Sequence, residues 1–456
     1  MDQQAVNEQY TSPPLLQDAN PAPGRSVLAS FSWLGIGVLA GRLLQAILII
    51  YLTRTIGDAA LGRFSFVQTF VMYGIIVTDF RFWVVGTREV ARDPTGLTLL
   101  SSNILLTRLI LFAAEILLIV FGLPHLNVTG EMYWLFVFSF LSLLAYAINT
   151  DWIFRGFERM EYVAIWEALP RLIWLVGTLV FVHSPEDLLR VPLLRFAGEI
   201  VTTVVLLAVS WRRYPASRPT ISAVRLGQIR SLMVQAAPLV AAALLVQMYY
   251  GFDVIVLTLV KSDAQAGQYR AVYTIATLLL MGSFLLDATY QPILARTFAA
   301  DRDDFLRHLR RLAGAALLFG TTAPALVAIA AVPVVRILFG GTFAPAAGPL
   351  AILMASLPFA YLGMAYSAGL IAAGRQNRLM LASAVGALTN VAGNLVLVPY
   401  YGMNGAALAA VAGFATMCVL QWWYVYSTVC RIEPVPLRSV VDTIRKLPRV
   451  LRKIRR

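Results

Sequence analysis

The sequence predicts an all-α polytopic membrane protein with about twelve transmembrane helices, in two six-helix bundles related by an internal repeat. Three observations carry that prediction. Hydrophobic residues make up 59% of the chain and charged residues only 13%, against roughly 45–50% and 25% in soluble domains, and the mean hydropathy is +0.72. Apolar runs of about 20 residues recur along the whole length, which suits helical spans; barrel strands are shorter and alternate polar with apolar. The third is a repeat. Gly57-Asp58-Ala59-Ala60-Leu61-Gly62-Arg63-Phe64 is echoed 205 positions later by Ser262-Asp263-Ala264-Gln265-Ala266-Gly267-Gln268-Tyr269, and Val67 and Thr69 by Val272 and Thr274. Each copy sits between two long hydrophobic segments, as in transporters built from two similar halves.

In chain order, residues 1–26 are polar and carry Pro13, Pro14, Pro21 and Pro23, with neither the basic start nor the cleavage site of a secretory signal. They read as a disordered cytoplasmic tail. An N-terminal six-helix lobe follows over 27–210, then a cytoplasmic inter-lobe loop over 211–231, a C-terminal six-helix lobe over 232–429, and a basic cytoplasmic tail over 430–456. The spans fall at about 28–53, 64–86, 97–121, 132–154, 163–182 and 188–210, then 232–260, 271–295, 312–331, 349–373, 379–398 and 406–429. The Pro- and Gly-rich stretch 332–349 gives the least regular pattern.

Arginine placement sets the orientation. With the N-terminus inside, the inner loops hold Arg88, Arg92, Arg155, Arg159, a run from Arg212 to Arg230, another from Arg296 to Arg311, Arg375 and Arg378. The outer loops hold only Arg54, Arg63, Arg190, Lys261, Arg270 and Arg336. This bias places both termini in the cytoplasm. It also accounts for the net charge of +13 without a nucleic-acid partner, because the charge is spread over loops and tail. Two inner stretches are amphipathic, Asp303–Leu312 and a tail stripe of Leu447, Val450, Leu451 and Ile454, and both suit an anionic lipid surface. Cys418 and Cys430, about 18 Å apart if both lie on one helix, are not expected to form a disulfide. His125, His183 and His308 are too scattered for a ligand set, so no metal and no cofactor is expected.

The runs Arg54 to Phe64, Thr87-Arg88-Glu89-Val90-Ala91-Arg92-Asp93 and Phe154-Arg155-Gly156-Phe157-Glu158-Arg159-Met160 resemble the polysaccharide transporter family. So do Ala373-Gly374-Arg375-Gln376-Asn377 and Val398-Pro399-Tyr400-Tyr401-Gly402-Met403-Asn404-Gly405, and the likeness runs from about residue 28 to 429. After Asp79-Phe80 the family commonly has a glycine; here Arg81 stands. The resemblance implies the fold of the multidrug/oligosaccharidyl-lipid/polysaccharide exporter superfamily. It also implies a Wzx-like flippase, moving polyprenyl-diphosphate-linked oligosaccharides to the outer leaflet by alternating access for O-antigen, capsule or exopolysaccharide synthesis, with a polysaccharide polymerase as protein partner.

The site residues are read from charges inside spans. Arg42, Arg108, Arg171 and Arg195 lie well within spans of the N-terminal half, where a charge costs roughly 2.5–3.5 kcal/mol and so faces a cavity or a partner. Glu167 and Arg171, and Arg195 and Glu199, are four apart on one helix face, and Glu115 is seven from Arg108; paired, silent salt bridges are therefore the competing reading. Arg42 has no carboxylate on its own helix. A cavity lined by these arginines suits a diphosphate, which a guanidinium binds bidentately. The C-terminal half carries the deep acids Asp253 and Asp287, candidates for H+ or Na+ coupling. A multidrug exporter of the same superfamily would need an acidic cavity for cations. A polytopic glycosyltransferase or polymerase would need a long outer loop with paired acids, and the first outer loop is only Gly57 to Arg63. The chain is therefore read as a transporter and not an enzyme.

Overall fold

The structure is a computed structural model that describes residues 27–433. The expected N-terminal tail and the stripe from Leu447 to Ile454 lie outside the described residues. Among the described residues there is no strand, and twelve helical segments are long and apolar enough to cross a membrane: Trp33–Thr55, Gly57–Arg92, Pro94–His125, Gly130–Gly156, Met160–Phe181, Pro185–Arg213, Leu226–Val260, Asp263–Ala300, Arg302–Ile329, Gly341–Ala372, Gln376–Tyr401 and Met403–Thr428. These are the twelve expected spans. Several begin earlier than their apolar runs, because polar first turns are still helical. The Ser262 hydroxyl accepts from the Gln265 N–H at 3.3 Å and the Asp301 carboxylate from the Asp303 N–H at 2.8 Å, so each helix starts at its cap rather than at its first apolar residue.

The chain forms two compact units, one of residues up to Gln45, Val71–Phe181 and Leu189–Ala241, the other of Ala46–Phe70, Val182–Leu188 and Ala242 onward. In the first unit, α1 (Val27–Thr55) contributes its earlier part and α2 (Gly57–Asp79) its end. Phe80 and Arg81 have φ of 47° and 56° and break the second span before α3 (Phe82–Arg92). α4 (Leu97–His125), α5 (Gly130–Phe140), α6 (Ser142–Ala147), α7 (Asp151–Gly156), α8 (Met160–Phe181) and α9 (Arg190–Arg213) follow. Their shared core holds Phe82, Ile104, Trp152, Phe154, Trp166 and Leu206. The loop after Tyr214 folds back on α4: Thr98 donates to the Ala216 carbonyl at 2.7 Å, the Ser102 hydroxyl accepts from the Thr220 N–H at 2.9 Å, and Asn103 accepts from the Arg225 N–H at 2.8 Å.

The second unit holds most of α10 (Leu226–Val260) with α11 (Asp263–Ala300), α12 (Arg302–Ile329), α13 (Ala331–Phe339), α14 (Ala347–Met354), α15 (Leu357–Ala372), α16 (Gln376–Tyr401) and α17 (Met403–Thr428). The irregular 332–349 stretch resolves into the short α13, a tight turn and α14. The amphipathic stretch lies at the start of α12, with Phe305, Leu309 and Leu312 buried and Arg307, Arg310 and Arg311 exposed. Gly402, at φ 54° and ψ −131°, turns the chain between α16 and α17 in a conformation only glycine adopts readily. Past it the two helices close through small residues, with Gly393 against Ala409 and Gly413 against Asn390. Cys418, on α17, and Cys430, beyond its end, are both free and buried.

Candidate substrate site in the first unit

α2 and α4 each bring one charged group, and α7, α8 and α9 two each, into a set of ion pairs in the first unit. Arg108, only 1% exposed, donates from Nη1 to the Asn149 carbonyl at 2.8 Å, and its Nη2 pairs with Asp79 at the end of α2. Glu115 is not its partner. Two helical turns put Glu115 about 10 Å along the axis from Arg108, and its carboxylate instead accepts from Thr78 at 3.1 Å.

On α7, Arg155 bonds Asp151 at 2.9 Å one turn back and reaches toward Glu167 of α8 at 3.9 Å. The Trp83 ring receives two guanidinium groups, Arg155 at 5.1 Å and Arg81 at 5.6 Å from its centroid. Both one-turn pairs form: Arg171 with Glu167 at 3.2 Å, and Arg195 with Glu199 at 2.9 Å. Arg195 also lies over Trp174, and the Tyr146 hydroxyl reaches Glu199 at 3.5 Å. Arg42 is exposed. Its neighbour Gly41 packs directly on α8, where a Cβ would come within 2.9 Å of the Arg171 side chain. The glycine thus lets α1 approach α8 closely at the Glu167–Arg171 turn.

The arginines divide into two kinds. Arg108 and Arg195 are buried against carboxylates, whereas Arg171 keeps 30% of its side chain exposed beside Glu167 and Arg42 is exposed. Across the set, six arginines (42, 81, 108, 155, 171 and 195) meet four carboxylates (Asp79, Asp151, Glu167 and Glu199), an excess of two positive charges. Sequence reasoning left Arg81, Trp83, Asp79 and Asp151 out of the site. The four-residue spacing of Asp151 and Arg155 was the available signal.

Asp253 and Asp287 belong to the second unit. Asp253, on α10, is 3% exposed, accepts from the Val254 N–H at 2.8 Å, and has Tyr249, Tyr269, Tyr273 and Arg270 around it. Asp287, on α11, is partly exposed and has Gln291 one turn on. Among the described residues no three His, Cys, Asp or Glu side chains gather in a group able to hold a metal ion.

The profile of the polysaccharide biosynthesis protein family matches residues 27–298. The chain belongs to that family. Two curated relatives, both described as putative O-antigen transporters, are 23% identical: one from Escherichia coli K12 over 234 residues, 49% of this chain and 54% of that protein, and one from Shigella dysenteriae over 236 residues, 51% and 58%. The match thus spans about half the length of these relatives. Among solved structures, the lipid II flippase MurJ in an inward closed conformation superposes with a TM-score of 0.70 at 13% identity, covering 92% of each chain. An inward-facing multidrug resistance MATE transporter of the MOP superfamily follows with a TM-score of 0.64 at 16% identity, covering 90% of this chain and 96% of the other. Both likenesses establish the fold, a multi-pass helical membrane architecture shared with transporters.

Proposed function

We propose that this protein is a flippase for polyprenyl-diphosphate-linked oligosaccharides, working by alternating access in the bacterial cytoplasmic membrane with both termini in the cytoplasm. The observation that carries this reading is the arginine excess of the first unit. Two positive charges beyond the carboxylates give a field that favours an anionic headgroup and disfavours a cationic drug. The MATE-like fold alone would suit a drug exporter equally, and the sign of the charge separates the two readings. In the proposed role Arg42, exposed, and Arg171, partly exposed, contact the diphosphate, while Arg108 ties α4 to α2 through Asp79 and Arg195, paired with Glu199 on its own helix, packs over Trp174 of α8. A guanidinium offers the diphosphate paired hydrogen bonds that a lysine does not. The polymerase that extends the released units is the partner this role implies.

The test is surface polysaccharide in a strain lacking its own flippase. The Arg42→Ala, Arg171→Ala double variant is expected to lose surface polysaccharide at normal membrane levels of the protein, and the corresponding double Lys variant to restore part of it. Wild-type polysaccharide from the double Ala variant would remove the diphosphate site.

A further inference from the structure

In the second unit an open cleft of about 350 Å³ lies where the turn between α10 and α11 meets the turn between α16 and α17. Lys261 and Gln265 line it from the first turn, Tyr400, Tyr401 and Asn404 from the second, and Pro349 closes it from the start of α14. Its volume falls within the roughly 300–1,000 Å³ of small-molecule sites. The arginine bias of the loops puts all of these residues at the outer face.

Two glycines shape the floor. Gly402 turns the chain with a positive φ, and a Cβ there would come within 2.6 Å of Gln265 Oε1; a Cβ on Gly348 would come within 3.2 Å of Asn404 Oδ1. Both side-chain amides are therefore laid against bare backbone, and the Ser262 cap fixes the helical turn that carries Gln265. Among the described residues neither amide has a hydrogen-bond partner. Gln265 is half-buried and Asn404 exposed. Tyr400 and Tyr401 stand out beside them, 81% and 61% exposed.

The chemistry of the wall selects the ligand. Among the described residues no carboxylate lines the cleft and Lys261 adds a positive charge, so a metal ion or a cationic drug is repelled. A side-chain amide both donates to and accepts from a pair of neighbouring hydroxyls, and a tyrosine ring takes an apolar face. A pyranose sugar offers both. A belt of interfacial aromatics would account for two exposed tyrosines at a helix end, but not for two unpaired amides and a lysine gathered round a cleft beside them. We propose that this cleft is a glycan subsite on the outer face, holding a sugar ring of the oligosaccharide once it has crossed. It rests on the flippase reading, which supplies both the glycan and the orientation.

The probe is the repeat-unit oligosaccharide of the source strain's surface polysaccharide, freed of lipid and phosphate, and the measurement is saturation transfer to its sugar protons from the full-length protein in nanodiscs. Wild type is expected to bind it, and Tyr400→Ala with Asn404→Ala to bind about tenfold more weakly at unchanged Tm. Arg42→Ala with Arg171→Ala is expected to bind as wild type does, because the probe carries no phosphate. Equal binding by wild type and the Tyr400, Asn404 double variant would overturn the proposal; if Tm also fell in that variant, the tyrosines would be membrane anchors. Loss of binding in the arginine variant alone would overturn it too, by putting the glycan in the first unit. A wild type that restores surface polysaccharide to a flippase-deficient strain yet binds no free glycan removes the cleft and leaves the flippase reading standing, whereas one that does neither removes both.

Discussion

Gly62 and Asp263 touch so closely that a Cβ on the glycine would overlap the aspartate's backbone carbonyl. The relationship recurs with the roles exchanged, since a Cβ on Gly267 would overlap the carbonyl of Asp58. These four residues are the matching positions of the sequence repeat, so within the second unit the two copies pack on each other crosswise. Asp58 also accepts from Gln268 at 2.7 Å, and Gln268 reaches the Thr342 carbonyl at 3.2 Å. Replacing Gly62 or Gly267 by Ala gains about 1 kcal/mol in helix propensity but forces backbone apart, at a cost of about 1–3 kcal/mol. Both variants are expected to show reduced Tm and reduced membrane levels. Gly35→Ala on α1, where nothing lies within 4 Å of the new Cβ, is the control expected to hold or raise Tm.

Arg81 occupies a left-handed conformation, φ 56° and ψ 21°, at the break between α2 and α3. That conformation costs a side-chain-bearing residue about 1–2 kcal/mol, while its cation–π contact with Trp83 returns about 0.5–1 kcal/mol. Arg81→Gly is therefore expected to match or exceed wild-type Tm, Arg81→Val to fall below it, and the Gly variant to transport less because the site loses a positive charge. A thermal-shift series on the purified variants checks the order; a Gly variant less stable than Val would refute the strain argument.

Asp79 and Arg108 form a buried pair whose members depend on each other. Removing one partner of such a pair costs about 3–5 kcal/mol, whereas replacing both by apolar groups is often neutral. Asp79→Ala is expected to deplete the protein from the membrane, and Asp79→Leu with Arg108→Met to recover at least half of what it loses. A double mutant with no recovery would mean that Arg108 acts through Asn149 instead.

Twelve spans, the repeat and the two one-turn ion pairs were legible because each is local: a run of apolar residues, a copied motif, an i,i+4 spacing. The Asp79–Arg108 pair was not, since 29 positions separate its members and the charge partner two turns along the same helix, Glu115, was the nearer candidate in sequence. The span starts were missed where polar caps extend a helix beyond its apolar run, as at Ser262 and Asp301. The break at Arg81 had a signal, an arginine in place of the family's glycine, but its left-handed backbone shows only in three dimensions.

The last prediction concerns Asp253. A carboxylate at 3% exposure within a span is costly there unless it is neutralised, and such residues mark ion or proton pathways. Around it stand three tyrosines, Tyr249, Tyr269 and Tyr273, which carry no compensating charge, and one cation, Arg270. Asp287 is more exposed and therefore has less to gain from binding an ion. The coupling role thus falls more naturally to Asp253. In proteoliposomes Asp253→Asn, which keeps the shape and removes the charge, is expected to bind substrate normally and to lose the dependence of flipping on a H+ or Na+ gradient, whereas Asp287→Asn keeps most of it. Gradient-driven flipping at the wild-type rate by Asp253→Asn would assign this aspartate to helix packing alone.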